Sequence, residues 1–198
     1  PKHTPHGTDW AVAPHHNWLL PEKHVASDYA LAMRLAEMID GLEPDANAHK
    51  AEHGIEVELP IIARLAPETQ VVGLTIGGGN LERCEQFATQ LAEVIRELDE
   101  PPLLLISSDM NHYANDEETR RLDALALADL DRLDEDALFN PCRSNHISMC
   151  GMIPAVMILK TLKKLGSIHQ SRQIGYTTSA ELTGDTSKVV GYAGRVFQ

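Results

Sequence analysis

The amino-acid sequence predicts an α/β protein, built as a three-layer α/β/α sandwich around a central, mostly buried β-sheet. Short apolar runs typical of strands alternate with longer segments whose apolar residues recur every three or four positions, as on one face of a helix. The run Leu103–Ile106 is uniformly apolar, which is typical of a strand covered on both faces. Strands and helices that alternate in this way indicate helical layers on both sides of a sheet.

In the first half of the chain, strands are predicted at short apolar runs and helices where apolar residues follow helical spacing. Ser27 is a candidate N-cap for the first helix, and Asn80 is one for the third. Pro60 lies inside the second helix, which it is expected to split or kink. The predicted strands are Trp10–Val12, Trp18–Leu20 and Val71–Ile76, and the predicted helices are Asp28–Ile39, Ile55–Ala66 and Leu81–Leu98.

The second half of the chain starts with the apolar run Leu103–Ile106 and continues with three helical segments. The last of these helices carries two lysines in its final turn and is followed by Gly166, and both features favour a helix end. The predicted helices are Glu117–Leu133, Glu135–Phe139 and Gly151–Leu165, and the final strands are Gln173–Ala180 and Lys188–Val196.

Composition excludes several classes of partner. Lys and Arg number 17 against 29 Asp and Glu, so the formal net charge is -12. This balance argues against nucleic acid or a membrane surface as the main partner, because both need a basic footprint. No apolar run approaches the roughly 18 residues of a membrane helix. Three widely spaced cysteines without a CxxC motif predict free thiols and a cytoplasmic location.

The segment Ser107–His112 is the strongest candidate for chemistry. It follows a predicted buried strand at its carboxyl end, where open α/β sheets place their ligands. His112 can act there as a base, an acid or a metal ligand, and Asp109 lies three residues earlier, where it can orient the ring. The alternative is a capped helix start whose histidine faces solvent.

Three further segments carry residues with useful chemistry. Glu52 and His53 lie at a predicted helix start, where structural and functional interpretations both stay open. Cys150 precedes a helix, so its thiol is either activated there or a small packing residue. Glu181 and Asp185 lie in a polar loop between the last two strands and could ligate a metal, although loops often contain both residue types.

Taken in order, five segments resemble the Memo family, the B component of the AmmeMemoRadiSam set, over essentially the whole chain. That family is similar in fold and site position to the class III extradiol (LigB-type) non-haem iron dioxygenases. The segments are PKHT at 1–4, AEHGIEVELP at 51–60, LLISSDMNHY at 104–113, ISMCG at 147–151 and YTTSAELTGDTSKVVGYAG at 176–194.

The resemblance implies a metal site. The dioxygenases hold Fe(II) with two histidines and one carboxylate, leaving positions for a substrate and O₂. His3 corresponds to the second metal-binding histidine, and Glu181 to the carboxylate in the loop before the last strand. The oxygen ligand of Glu181 favours Fe(II), with zinc and copper as alternatives.

The resemblance also implies catalytic roles. His112 takes the acid/base position, with Asp109 as its candidate orienting group. His53 either contacts a metal ligand without binding the metal itself or touches the substrate. Glu52 or Glu56 is expected to fix its tautomer.

One departure from the family pattern concerns the first metal ligand. The family has a histidine in a Pro-His-Ala-Gly-Tyr motif that falls upstream of position 1. The segment Ala13–His16 is superficially similar, but it lies where the family has the residues leading to Trp18. We therefore expect residues 1–198 to form a single Memo-like domain that lacks its N-terminal strand and first metal-ligand segment.

The leading expectation is a metal-binding protein with non-haem-iron oxidoreductase activity on a small molecule. A metal-assisted hydrolase and a non-catalytic module that binds a peptide or phosphopeptide in the same pocket are the alternatives. Phosphate binding needs converging basic side chains, and the motifs have only Lys2, Arg143 and Lys188 nearby. The resemblance further implies a functional link to a radical-SAM partner, and the oligomeric state stays open.

Overall fold

The structure is a computed structural model that describes residues 1–144 and 146–198; the side chain of Arg143 lies outside the described residues. Helices and strands both contribute, which confirms the predicted α/β class. The chain divides into two compact units. Unit 1 comprises residues 1–78 and 93–101, and unit 2 comprises residues 79–92 and 102–198. Among the described residues, no helix combines the length and the apolar character needed to cross a membrane.

Strand β1 (Trp10–Val12) is the centre of the main sheet of unit 1. It pairs in parallel with β4 (Glu43–Pro44) and antiparallel with β5 (Leu74–Ile76). All three residues of β1 are buried, as expected of an apolar strand with neighbours on both sides. Strands β2 (Asn17–Leu20) and β3 (Lys23–Ala26) form a separate antiparallel hairpin.

The first helices of unit 1 begin at aspartates. Asp28 caps α1 (Tyr29–Met38), because its side chain accepts the Leu31 N–H at 2.9 Å, so the cap lies one residue after the predicted Ser27. Asp45 caps the short α2 (Ala46–His49).

Helix α3 (Leu59–Leu65) is shorter than the predicted helix over residues 55–66. Pro60 lies in its first turn, where the missing N–H would have no partner within the helix. Proline therefore starts this helix instead of splitting it, and residues 55–58 form the turn that leads into it.

Three strands form an antiparallel sheet in unit 2. Strand β8 (Val189–Phe197) is central, with β6 (His112–Ala114) on one side and β7 (Ser171–Thr178) on the other. His112 lies opposite Val190 in this ladder. The beginning of β8 therefore fixes the backbone position of His112.

The helices of unit 2 follow the predicted apolar patterns. Asn115 caps α5 by accepting the Glu118 N–H, and Gly166 ends α7 with a φ of 67°. Residues 81–92 of α4 belong to unit 2 and the rest of this helix to unit 1. The helices are α4 (Leu81–Arg96), α5 (Asp116–Asp131), α6 (Glu135–Ser144), α7 (Met152–Leu165) and α8 (Ala180–Thr183).

The predicted strand at Leu103–Ile106 is wrong. These residues form no strand, and Leu103 and Leu105 are exposed. A strand needs a neighbour that takes up its backbone N–H and C=O groups, and a four-residue apolar run contains no information about that neighbour. His112 therefore does not follow a buried strand; it is the first residue of β6.

Candidate metal-binding groups

His3, Glu52 and His53 form a group in unit 1 whose ligand atoms all lie within 4.8 Å of one another. Glu52 holds His3 with both carboxylate oxygens. Its Oε1 accepts a hydrogen bond from His3 Nδ1 at 2.6 Å, and its Oε2 accepts the backbone N–H of His3 at 2.5 Å. The Nε2 atom of His3 is therefore the ring nitrogen left for a metal.

The electrostatics of Glu52 settle which tautomer His3 adopts. Burial of the Glu52 side chain, which is 1% exposed, opposes ionisation. Hydrogen bonds from the His3 ring, the His3 backbone and the Gly54 N–H outweigh the burial and lower the pKa of Glu52 to about 2. Because the carboxylate is ionised at neutral pH, His3 Nδ1 must carry the proton. Carboxylates orient metal-binding histidines in this way.

His53 completes the group by stacking on His3. The two ring centroids are 4.2 Å apart with an interplanar angle of 21°. The Nδ1 atom of His53 lies 3.9 Å from Glu52 Oε1, beyond hydrogen-bond distance, and Glu56 is exposed. Glu52 therefore orients His3, which differs from the expectation that it or Glu56 would fix the tautomer of His53.

Asp109, His112 and Cys150 form a second group, in unit 2, with ligand atoms also within 4.8 Å of one another. His112 Nδ1 donates to the backbone carbonyl of Ser148 at 2.6 Å, and the His112 backbone N–H donates to Ser148 Oγ at 2.8 Å. The Nε2 atom is thus the unprotonated nitrogen of the neutral ring, and it lies 3.5 Å from Asp109 Oδ2. Cys150 Sγ accepts the Asp109 N–H at 3.1 Å.

Buried polar residues hold Ser148 in the position from which it contacts His112. Asn111 Oδ1 accepts both the N–H and the Oγ–H of Ser148 at 3.2 Å. Asp123, which is fully buried, accepts the Asn111 N–H and the Tyr176 hydroxyl, each at 2.8 Å. Burial raises the pKa of Asp123 despite these two hydrogen bonds, and burial also raises the pKa of Tyr176.

Glu181 lies on α8 in unit 2, with its side chain 61% exposed. Its Oε1 accepts a hydrogen bond from Arg120 at 3.3 Å, and Arg120 also binds Asp116 at 2.8 Å. Asp185 accepts bonds from the backbone and hydroxyl of Ser187. Glu181 and His3 belong to different units, so their meeting at one metal stays a prediction.

Sequence reasoning missed the residues that support His112. Ser148 and Asn111 lie in the segments that contain Cys150 and His112. A serine or an asparagine there does not by itself indicate support for a histidine. The position of Asp123 does indicate such a role, because it shares the inward face of α5 with Ala126 and Leu130. A carboxylate on an apolar helical stripe indicates a buried acid that needs a partner.

Comparisons with known proteins give the family. The family model described as Memo-like protein matches residues 1–196. MEMO1 family proteins of Methanobrevibacter smithii, Aquifex aeolicus and Methanococcus maripaludis are 30%, 33% and 32% identical to the chain. These alignments cover 100% of this chain and 70%, 73% and 70% of the respective relatives. The chain therefore belongs to the Memo-like family, as its motifs predict.

Proposed function

We propose that this protein binds a divalent metal through His3 Nε2 and uses it in oxidoreductase chemistry on a small molecule. The observation that carries the proposal is the hydrogen bond of 2.6 Å between His3 Nδ1 and the buried carboxylate of Glu52. A metal-binding histidine needs its other nitrogen fixed by such a partner, which sets the tautomer and the direction of the lone pair.

The donor set fits a transition metal. His3 and His53 offer imidazole nitrogens, and the family resemblance implies a carboxylate oxygen from Glu181, while Glu52 orients His3. Imidazole and carboxylate ligands suit Fe(II), zinc and copper better than calcium or magnesium, and we propose Fe(II). When bound, the iron would supply the electron-transfer and Lewis-acid chemistry.

His112 is proposed as the proton carrier of the reaction. Its Nε2 can accept a proton, because Nδ1 donates to the Ser148 carbonyl. Asp109 Oδ2, 3.5 Å away, would stabilise the positive charge that the ring then gains. A histidine fixed at one nitrogen and faced by a carboxylate at the other is suited to moving a proton in either direction.

Metal content tests the proposal directly. Anaerobically purified protein should contain close to one equivalent of iron, and His3→Ala should lose it. Glu52→Gln should weaken metal binding by about 10–100-fold, as removal of a ligand's hydrogen-bond partner does. Glu56→Gln is the matched control, since Glu56 is an exposed glutamate of the same segment.

The outcome that contradicts the proposal is iron content that stays the same in His3→Ala and Glu52→Gln. Oxygen uptake by the iron-loaded protein with a panel of catechols then tests the reaction class. Uptake that depends on both catechol and iron supports the oxidoreductase, whereas substrate hydrolysis without oxygen uptake supports the metal-assisted hydrolase.

A further inference from the structure

The group Asp109, His112 and Cys150 has the composition and spacing of a metal site that contains sulfur. The distance from His112 Nε2 to Asp109 Oδ2 is 3.5 Å. Nitrogen and oxygen ligands that share a tetrahedral zinc ion lie roughly 3.3 Å apart, given bonds of about 2.0–2.1 Å. The cysteine sulfur completes the group within 4.8 Å. The three ligand atoms therefore lie near one point, and side-chain rotation would bring them onto one ion.

The supporting contacts leave His112 Nε2 facing Asp109 Oδ2, whereas Cys150 Sγ also lies 3.7 Å from Ser108 Oγ. The Ser148 carbonyl takes the Nδ1 proton of His112, which is the usual way in which proteins orient a metal-binding histidine. The backbone N–H of Asp109 donates to Cys150 Sγ at 3.1 Å and would stabilise a thiolate. Cys150 is half-buried and the Asp109 side chain is 44% exposed, so an ion can reach the group.

The ligand chemistry selects the type of metal. One thiolate, one imidazole and one carboxylate suit a borderline cation such as Zn²⁺, whereas calcium and magnesium prefer oxygen ligands alone. The group around His3 contains no sulfur. The two groups therefore differ in the metals that they favour.

We propose that Asp109, His112 and Cys150 bind Zn²⁺, and that zinc at this site switches off proton transfer by His112. The binding site rests on the geometry of unit 2 alone, whereas the inhibitory effect rests on the proposed function of His112. Zinc occupies the Nε2 lone pair that would otherwise accept the proton. Three protein ligands leave a fourth position for water.

Cobalt titration tests the ligands without any assay of activity. Co²⁺ added to the metal-free protein should produce a thiolate-to-cobalt charge-transfer band in the near ultraviolet, and Zn²⁺ should remove it. The band should disappear in Cys150→Ser and persist in His3→Ala, whose change lies in unit 1. A missing band in the unaltered protein, or a band that persists in Cys150→Ser, overturns the proposal.

Alkylation of the unaltered protein gives a second test that does not depend on the folding of a variant. Cys84 and Cys142 are buried, so iodoacetamide should label Cys150 selectively in the native state. Saturating Zn²⁺ should slow this labelling by about 10-fold or more, and a chelator should restore it. Equal labelling rates with and without zinc overturn the proposal.

Two histidine variants test whether the zinc protection of Cys150 comes from zinc bound by Asp109, His112 and Cys150. His112→Ala should lose the zinc protection of Cys150, and His169→Ala, which changes an exposed histidine of the same unit, should keep it. Loss of protection in both variants would indicate adventitious zinc and overturn the proposal. Zinc protection together with unchanged iron content in the His3→Ala protein would refute the proposed function and leave the zinc site intact.

Discussion

At the scale of single residues, neighbours decide what each histidine of unit 1 can do. His3 keeps one nitrogen free because a buried carboxylate occupies the other. His49 is buried against Thr75, whose hydroxyl lies 2.9 Å from His49 Nδ1. The same side chain is thus a candidate metal ligand in one setting and a core residue in the other, and the sequence alone does not distinguish them.

Replacing His112 should separate proton transfer from metal binding. His112→Ala should leave the iron content nearly unchanged and lower turnover by about 10²–10⁴-fold, the usual effect of a positioned acid or base. Metal analysis and oxygen uptake on the same preparation measure both quantities. Loss of the iron would instead make His112 a ligand of the iron proposed at His3, and unchanged turnover would make it a histidine without a catalytic role.

His49 should make unit 1 sensitive to acid. Burial lowers the pKa of His49 to about 4 from its ordinary value of 6.5, although Asp45 and Glu52 oppose the shift. Between these two pH values the unfolded chain binds the extra proton. The free energy of unfolding should therefore fall by up to about 1.4 kcal/mol per pH unit as pH drops from 6.5 towards 4.

Fluorescence-detected denaturation measures this dependence, because both tryptophans, Trp10 and Trp18, lie in unit 1. His49→Gln should flatten the dependence in that pH range, whatever its effect at neutral pH. His24→Gln, at an exposed histidine, should keep it. A pH slope that His49→Gln leaves unchanged would assign the acid sensitivity to other groups.

At the scale of elements, periodicity predicts the long helices well. Helix α4 has an apolar stripe with Cys84, Phe87 and Leu91, and all three are buried. Periodicity fails where structure depends on a partner or on one residue's geometry. The apolar run over residues 103–106 lacks a pairing strand, and Pro60 begins a helix because its ring fits the first turn.

The contact between β8 and α5 should tolerate no side chain at Gly191. A Cβ there would overlap Asp123 Oδ2 and lie 3.2 Å from Met110 Cβ. Gly191→Ala should therefore displace the Asp123 carboxylate and destabilise the protein by about 1–3 kcal/mol, as overpacking does. Thermal unfolding followed by circular dichroism should show Tm lower by roughly 2–4 °C per kcal/mol.

Gly175→Ala is the matched control on the neighbouring strand β7, since a Cβ at Gly175 meets nothing within 4 Å. It should leave Tm nearly unchanged. Equal Tm values for Gly191→Ala and the unaltered protein would show that Asp123 moves aside freely.

At the scale of the whole molecule, the three cysteines are free, which confirms the expectation from composition. Burial raises the pKa of Cys84 to about 11 and that of Cys142 to about 12, whereas Cys150 is half-buried. A thiol reagent at pH 8 should therefore react quickly with one equivalent in the native protein. In denaturant without reductant it should find three, and finding only one would indicate a disulfide.

Long-range placement limits what the sequence predicts about the site. The motifs identify the residues and the family, but Glu52 meets His3 from 49 positions away and Cys150 meets Asp109 from 41. Such pairs are created by the fold, so residue spacing along the chain contains no direct record of them. The orientation of His3 by Glu52 is therefore a property of the folded chain that the sequence does not predict.

The double attachment of His3 to Glu52 has a consequence for how this protein can evolve. One carboxylate binds both the ring and the backbone N–H of His3. A lineage that loses Glu52 gives up the orientation of His3 and the anchoring of the backbone at residue 3 in one step. A lineage that loses His3 leaves the buried acid with backbone N–H donors alone, which costs free energy. A substitution at either residue alone is therefore costly. In diverging relatives the two should be retained or replaced together.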